Sequence, residues 1–303
     1  MSTNPLRQLM LGLFVTLMAS SSAAAQAAPP TPPEWAPVER ALGRSGAMQP
    51  GDVLRFSFPR SDLQVTAAGV ALKPAFALGS WVAFKRIAGG HAMAMGDLVL
   101  TEDEIAPVMR ALQAGGVEQT ALHNHVLHES PRVMYMHISA HGDATQIATA
   151  IRSALALSLT PLGAPAAPAA AAGIDLDTAA IARTLGVAGK VNGGVYQVNV
   201  PRRETIREGG NEVPPSMGVA TAINFQPTGS GRAAITGDFV MRGSEVNDVI
   251  RALQAAGIQP TALHNHMVTE EPRLFFMHFW ANDDALRLAR GLRGALDRTA
   301  SRM

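Results

Sequence analysis

The chain has 303 residues, of which 47% are hydrophobic and 16% are charged, and its formal net charge is +1. This composition excludes an intrinsically disordered chain and provides enough apolar residues for two buried cores. The nearly neutral charge, without a basic stripe, gives no electrostatic reason to expect a nucleic acid or an anionic membrane as a partner.

The N-terminal residues 1–27 are typical of an export signal. Arg7 precedes an apolar run from Leu9 to Ala19, and small residues follow as far as Ala27. The run is shorter than the roughly 20 apolar residues that a membrane-spanning helix needs, and no later segment reaches that length without a charge, Pro or Gly. We therefore expect a periplasmic or secreted protein whose mature chain has no integral membrane segment.

The remainder of the chain divides into two similar halves. The phrase Ala121–His125 recurs as Ala262–His266, at an offset of 264 − 123 = 141 residues, and matched segments extend well beyond it. Such self-similarity indicates a tandem duplication. The expected segments are a Pro-rich tether over 28–37, a first repeat domain over 38–158, a Pro/Ala linker over 159–173 and a second repeat domain over 174–303.

Each half contains the same predicted elements. A short helix is expected near 38–42. Alternating apolar residues predict a strand over 52–58, and two further strands are expected over 81–87 and 91–100. Thr101 and Glu104 form a capping box that begins an amphipathic helix through Leu112. A hairpin and a last helix over 143–157 complete the first half. This order predicts an α+β fold of two homologous domains, each an antiparallel sheet packed against helices.

Four polar residues outside the hairpins also recur, and we interpret them structurally. Asp97 and Asp238 each follow a glycine and are expected in turns. Arg60 and Arg202 each follow a proline and are expected to end a turn and begin a strand.

Six of the nine histidines lie on the two predicted hairpins: His123, His125 and His137 in the first half, and His264, His266 and His278 in the second. Residues two apart on a strand share a face, so His123 and His125 are expected to project together. A three-residue loop over 129–131 would place His123 opposite His137, and His264 opposite His278.

Three neutral imidazoles on one sheet face predict a divalent-metal site with an open fourth position. The affinity order favours Cu(II), and availability favours Zn(II) next. The chain has no cysteine, so any ligand must be nitrogen, oxygen or thioether sulfur. No nucleotide cofactor is expected, and the expected partner is a metal ion or a small molecule.

Other residues near the hairpins are candidates for chemistry. Glu129 and Glu270 follow the histidine pairs and are candidates for a fourth ligand or for an acid/base group beside bound water. Arg132 and Arg273 are candidates for holding an anionic ligand, although each also suits the start of a return strand. Asn124 and Asn265 are expected to point to the opposite face and to form hydrogen bonds either with the backbone or with groups that orient the ligands.

The sequence resembles a known family over most of both halves. The similarity is carried by ALHNHVLHESPRVMYMHISAHGD, TALHNHMVTEEPRLFFMHFWA, FPRSDLQVTAAGV, GSWVAFKR and GDLVLTEDEIAPVMRAL. These segments resemble the LppY/LpqO family, first described as mycobacterial lipoproteins. The resemblance implies a domain of unknown function and no established activity. Without a cysteine, the chain lacks the lipid-bearing residue of the founding members.

Three functional hypotheses remain open. The leading one is divalent-metal binding by the three histidines of each half. The second is a hydrolase- or lyase-like enzyme in which Glu129 or Glu270 assists a metal-bound water or a bare imidazole. The third is a non-catalytic ligand-binding or structural module with a polar histidine core. A concave pocket above the histidines would favour chemistry, whereas a closed cluster would favour the structural role.

Overall fold

The computed structural model of the protein describes residue 1, residues 31–163 and residues 173–303. Apart from Met1, the predicted export signal lies outside the described residues, and so does the part of the predicted linker over 164–172. Within the described part of the chain, no helix combines the length and the apolar character needed to cross a membrane.

In the described residues the two halves have the same order of elements, except that the two-residue strand Glu129–Ser130 has no counterpart strand in the second half. The first half contains β1 (Ala47–Gln49), β2 (Val53–Pro59), β3 (Thr66–Ala67), β4 (Val70–Ala71), β5 (Gly79–Arg86), β6 (Ala92–Thr101), β7 (Glu118–His123), β8 (Glu129–Ser130) and β9 (Val133–Gly142), with helices α1 (Ala36–Leu42), α2 (Glu102–Ala114) and α3 (Ala144–Leu155). The second half contains α4 (Thr178–Leu185), β10 (Lys190–Asn192), β11 (Val195–Pro201), β12 (Ile206–Glu208), β13 (Asn211–Val213), β14 (Ala220–Gly229), β15 (Arg232–Arg242), α5 (Val246–Ala255), β16 (Gln259–His264), β17 (Leu274–Asp284) and α6 (Ala285–Leu296).

Each half forms one six-stranded sheet. The strand orders are β1-β2-β5-β6-β9-β7 and β10-β11-β14-β15-β17-β16, and neighbouring strands are antiparallel. Three helices pack against one face of each sheet. The predicted α+β fold of two homologous halves, each an antiparallel sheet with helices, is therefore confirmed.

The capping box at the start of α2 forms as predicted. The Glu104 side chain accepts a hydrogen bond from the backbone nitrogen of Thr101 at 2.9 Å, and the Thr101 side chain accepts one in return. The predicted tether over 28–37 is helical from Pro33 onward. Pro33–Trp35 form a 3-10 turn that leads into α1, and Trp35 is buried edge-on against Phe84. Burial of this aromatic ring stabilises helical structure that the proline content did not suggest.

The strand period determines which face of each sheet meets the other half. In β6, Ala94 and Leu98 pack with the helices of their own half, whereas Met93 and Met95 pack with residues of the second half. In return, Ala234 of β15 packs with residues of the first half. The faces turned away from the helices therefore form an interface between the two halves.

Arg60 and Arg202 are buried structural residues that directly follow β2 and β11, and neither begins a strand as expected from the sequence. Arg60 is fully buried, and its Nη1 lies 2.7 Å from Glu104 Oε2 and 2.7 Å from the Val99 carbonyl oxygen. Arg202 forms the equivalent bonds with Glu245 and Val240. Each guanidinium thus ties the end of a strand to the following helix, because its planar donors match a carboxylate and a carbonyl together.

Candidate metal centre

The six hairpin histidines converge at the interface between the halves. We call His123, His125, His137, His264, His266 and His278 the histidine cluster. His137 and His278 lie on β9 and β17, on the faces that carry no helices. His123 and His264 end β7 and β16, and His125 and His266 follow two residues later. The sequence predicted one site in each half, whereas the structure brings both sets of histidines together.

The predicted strand register is wrong by two residues. His123 lies opposite Tyr135, and Ala121 lies opposite His137; in the second half, His264 lies opposite Phe276. The connection between β7 and β9 is longer than three residues, because Glu129–Ser130 pairs with β3 instead of extending the hairpin. A shift of two residues preserves the face of every side chain, so His123 and His137 still lie on the same side of the sheet.

The rings of the cluster are stacked in a nearly symmetric arrangement. His123 and His264 form the central pair, with ring centroids 3.7 Å apart. His125 lies 3.8 Å from His278, and the equivalent pair His137 and His266 is also separated by 3.8 Å. Tyr135 covers His125 at 3.3 Å, and Phe276 covers His266 at 3.5 Å. The contacts are therefore pseudo-symmetric: each contact across the interface recurs between the equivalent residues, which lie 141 positions away in the other half.

Backbone carbonyls fix the orientation of three rings. The Nδ1 atoms of His137, His266 and His278 lie 3.2, 3.0 and 2.6 Å from the carbonyl oxygens of Gly96, Gly218 and Gly237. Because a carbonyl oxygen only accepts, Nδ1 must carry the proton, and a neutral ring then has its lone pair on Nε2. A histidine held in this way is suited to bind a metal through Nε2.

Glycine is required beside two of these histidines. An added Cβ at Gly96 would lie 2.7 Å from the Trp81 carbonyl oxygen, and one at Gly237 would approach the Ala222 carbonyl oxygen still more closely. The missing side chain lets the neighbouring strand approach while the glycine carbonyl accepts the imidazole proton.

Asp97 and Asp238 belong to this centre and are not the turn residues expected from the sequence. They lie within β6 and β15, opposite His137 and His278, and both are buried. Asp238 Oδ2 lies 2.9 Å from His266 Nε2, and Asp97 Oδ2 lies 3.4 Å from His125 Nε2. Their signal in the sequence was a charged residue, repeated in both halves, inside an otherwise apolar strand.

Burial keeps the histidines neutral. It lowers the pKa of all six imidazoles, to about 3 at His137 and about 4 at His266. Burial also raises the pKa of Asp238 to about 7, and the nearby Asp97 adds to this shift. A neutral His266 presents its Nε2 lone pair to the Asp238 oxygen, and two electron-rich atoms at this distance repel unless a proton or a metal cation lies between them.

Ligand atoms within the centre are close enough to share an ion. Nε2 of His123 lies 3.1 Å from Nε2 of His278, and Nε2 of His264 lies 3.1 Å from Nε2 of His266. Zinc–nitrogen bonds of about 2.0–2.1 Å place two ligands of one ion about 3–3.4 Å apart. Among the described residues, three groups have all their candidate ligand atoms within 4.8 Å of one another: His123/His125/His278, His123/His137/His264 and Asp238/His264/His266.

The sequence-predicted glutamates lie outside these three groups. Glu270 is buried, and its carboxylate accepts a hydrogen bond from the Leu274 nitrogen and pairs with Arg273. Burial raises the pKa of Glu129 to about 7, and its Oε2 has no hydrogen-bond partner among the described residues. Both residues therefore remain acid/base candidates only as predictions.

The sequence-predicted arginines also make their contacts elsewhere. Arg132 is largely exposed and lies 3.9 Å from Glu102. Arg273 contacts Glu270 and the Met267 carbonyl oxygen. In the described part of the chain, neither guanidinium forms a hydrogen bond or an ion pair with the histidine cluster, so anion binding stays a prediction.

Reciprocal hydrogen bonds join the two hairpins across the interface. Thr120 Oγ1 donates to the His266 carbonyl oxygen, and Thr261 Oγ1 donates to the His125 carbonyl oxygen, each at 2.6 Å. The Asn124 side chain donates to the Thr261 carbonyl oxygen, and the Asn265 side chain donates to that of Thr120. Both asparagines thus bond to the backbone, which is one of the two expected alternatives. Sequence reasoning missed the threonines, whose partners come from the other half.

The cluster is almost completely enclosed. His123, His137, His266 and His278 are buried, and the His125 side chain is 15% exposed. Cavities of about 290 and 440 Å³ lie elsewhere: one is lined by Trp35, Arg86 and Asp143, and the other by Ile250 and Pro260. A closed cluster favours the structural role of the histidines, and it is also compatible with a buried ion.

Comparisons with known proteins agree with the duplication. A solved structure with detectable similarity is described as "Crystal structure of a trimeric bacterial microcompartment shell protein PduB"; it is 15% identical, covers 81% of this chain and 86% of that chain, and has a TM-score of 0.20. A similarity of this size supports no argument about fold or function. Among curated proteins, none matches the sequence significantly. The family model described as "Domain of Unknown Function (DUF1259)" matches residues 36–157 and 179–298, and the chain therefore belongs to this family, with two copies of its domain.

Proposed function

We propose that this protein binds a divalent transition metal, Zn(II) or Cu(II), in the histidine cluster between its two halves. The observation that carries the proposal is the orientation of His137, His266 and His278. Their Nδ1 protons are held by carbonyl oxygens, so three Nε2 lone pairs are directed into a buried centre. Nε2 of His137 has no hydrogen-bond partner there among the described residues.

The ligand types support this choice of metal. Imidazole nitrogens with one or two carboxylate oxygens suit Zn(II) and Cu(II), whereas Ca(II) and Mg(II) prefer sites made of oxygen. The buried carboxylate of Asp238 beside neutral imidazoles supplies negative charge that a cation would compensate.

A purely structural histidine core is the competing function. It is favoured by the close Nε2 pairs, which can be hydrogen bonds between neutral rings, and by the enclosure of the cluster. In that case the protein would fold with equal stability without any metal.

Elemental analysis of the untagged protein distinguishes the two functions. We expect stoichiometric Zn or Cu in the purified protein and its loss in the double variant His123→Gln/His264→Gln. The matched control is His91→Gln/His141→Gln, which changes two exposed histidines outside the cluster. Metal-free native protein that takes up neither ion when both are supplied would refute metal binding and favour the structural core.

We propose in addition that the protein is exported and belongs with the LppY/LpqO proteins. The export signal expected over 1–27 and the sequence resemblance support this assignment. N-terminal sequencing of the protein from the producing cell tests the first part: a mature chain beginning near residue 26 or 28 and recovered outside the cytoplasm is expected. An intact Met1 in a cytoplasmic fraction would contradict it.

A further inference from the structure

We infer that the cluster holds two metal ions, each bound by three histidines and one aspartate drawn from both halves of the chain. The first set is Asp97, His123, His125 and His278, and the second set is Asp238, His264, His266 and His137. This inference rests on the proposed metal binding. It adds the number of ions and the two aspartate ligands, and it states that each set takes one histidine from the other half, which we call the exchange.

The first set is supported by distances around His125. His123, His125 and His278 offer ligand atoms that lie within 4.8 Å of one another, although His278 belongs to the second half. Nε2 of His278 lies 3.1 Å from Nε2 of His123. Asp97 Oδ2 adds an oxygen 3.4 Å from His125 Nε2.

The second set is the equivalent arrangement around His266. Asp238, His264 and His266 lie within the same 4.8 Å limit, and Nε2 of His266 is 3.1 Å from Nε2 of His264. His137 is assigned to them because it stacks 3.8 Å from His266 and shares a ligand group with His264, a group that also contains His123 of the first set. Its buried Nε2 has no other partner among the described residues.

The exchange of His137 and His278 follows from the packing of the rings. His125 lies 3.8 Å from His278 of the other half, and His137 lies at the same distance from His266. The His123 ring lies almost equally far from His137 and from His278, at 5.0 and 5.1 Å, so the exchange rests on the contacts of His125 and His266. Each ion would therefore bridge the halves, with a set of four ligands typical of Zn(II) and Cu(II).

Two double variants that each lose two histidines test the exchange. In His125→Gln/His278→Gln, both changes fall in the first set, so one ion should remain bound with the affinity of the unmodified protein. In His125→Gln/His137→Gln, the changes fall in different sets, so no ion should retain that affinity. The measurement is metal retained per chain, by elemental analysis, after competition with a chelator.

The opposite result would overturn the inference. If each site were built within one half, His125→Gln/His137→Gln would keep one ion and His125→Gln/His278→Gln would keep none. The unmodified protein loaded with Cu(II) provides a test that does not depend on the folding of a variant. Two ions per chain and the dipolar coupling of neighbouring Cu(II) centres in its electron paramagnetic resonance spectrum are expected. A single uncoupled ion refutes the pair of sites but leaves metal binding intact, whereas no bound ion refutes both.

Discussion

The imidazole rings of His123 and His264 stack face to face, with centroids 3.7 Å apart and planes inclined by 14°, although the residues are 141 positions apart. They lie at the centre of the interface, where each half presents the same surface to the other. The duplicated sequence therefore builds one composite centre instead of two separate ones, in the way that a symmetric dimer builds an isologous interface.

Removal of the metal should destabilise both the metal centre and the contact between the two halves. A ligand that binds only the folded state stabilises it by RT ln(1 + [L]/Kd), which is about 2.7 kcal/mol at a hundredfold excess over Kd. We expect a chelator to lower the melting temperature of the native protein in differential scanning calorimetry. His123→Gln/His264→Gln should melt at the same temperature with and without chelator, and equal melting temperatures for the native protein would contradict metal-linked stability.

Local patterns in the sequence predicted much of the fold. Alternating apolar residues located β2, and the capping box of Thr101 and Glu104 located the start of α2, because these signals act within a few residues. The strands expected over 81–87 and 91–100 correspond to β5 and β6. The burial of Trp35 was missed, because proline content says nothing about the distant Phe84 against which the ring packs.

From the sequence, the types of ligand in the candidate site could be predicted, but their arrangement across the interface could not. The repeated histidines identified the residues that converge, and the face of His123 and His137 was correct because side-chain direction has a period of two. Their partners across the interface could not be predicted, since no local pattern states that His125 meets His278. Asp97 and Asp238 were assigned to turns because a Gly-Asp pair usually marks one, whereas here the pair lies within a strand.

The reciprocal threonine bonds should contribute measurably to the docking of the halves. Thr120→Val keeps the shape of the side chain but leaves the His266 carbonyl oxygen without its 2.6 Å donor. Losing the partner of a buried acceptor costs about 1–3 kcal/mol. Chemical denaturation of Thr120→Val and Thr261→Val should each show this decrease in the free energy of unfolding.

Thr149→Val provides the matched control for these bonds. Its hydroxyl is exposed and bonds only to the Thr145 carbonyl oxygen within α3. A loss of stability in this control as large as that of Thr120→Val would show that the interface bond has no special contribution.

The buried Arg60 should be among the most sensitive positions of the first half. Arg60→Met preserves much of the volume but leaves the buried Glu104 carboxylate without its 2.7 Å partner. Breaking a buried ion pair on one side costs about 3–5 kcal/mol. Arg132→Met is the control, because that side chain is largely exposed and its nearest carboxylate oxygen is 3.9 Å away. The denaturant midpoint of Arg60→Met should be clearly lower than that of Arg132→Met, and equal midpoints would contradict a structural role of Arg60.

Glu104 should also make the fold sensitive to acid. Burial alone would raise its pKa, but hydrogen bonds from Arg60 and from the backbone nitrogens of Leu159 and Thr101 outweigh burial and hold the pKa below the ordinary value of 4.5. The unfolded chain then binds more protons than the folded chain below about pH 4.5, so this contribution is complete above that pH and is lost as the pH falls through the folded-state pKa.

Glu104→Gln should therefore be less stable than the native protein at pH 7, and the difference should shrink on acidification. Glu102→Gln, on the exposed face of the same helix, is the control and should be as stable as the native protein at pH 7. A stability difference between Glu104→Gln and the native protein that stays constant from pH 7 to pH 3 would show that the ionised carboxylate does not stabilise the fold.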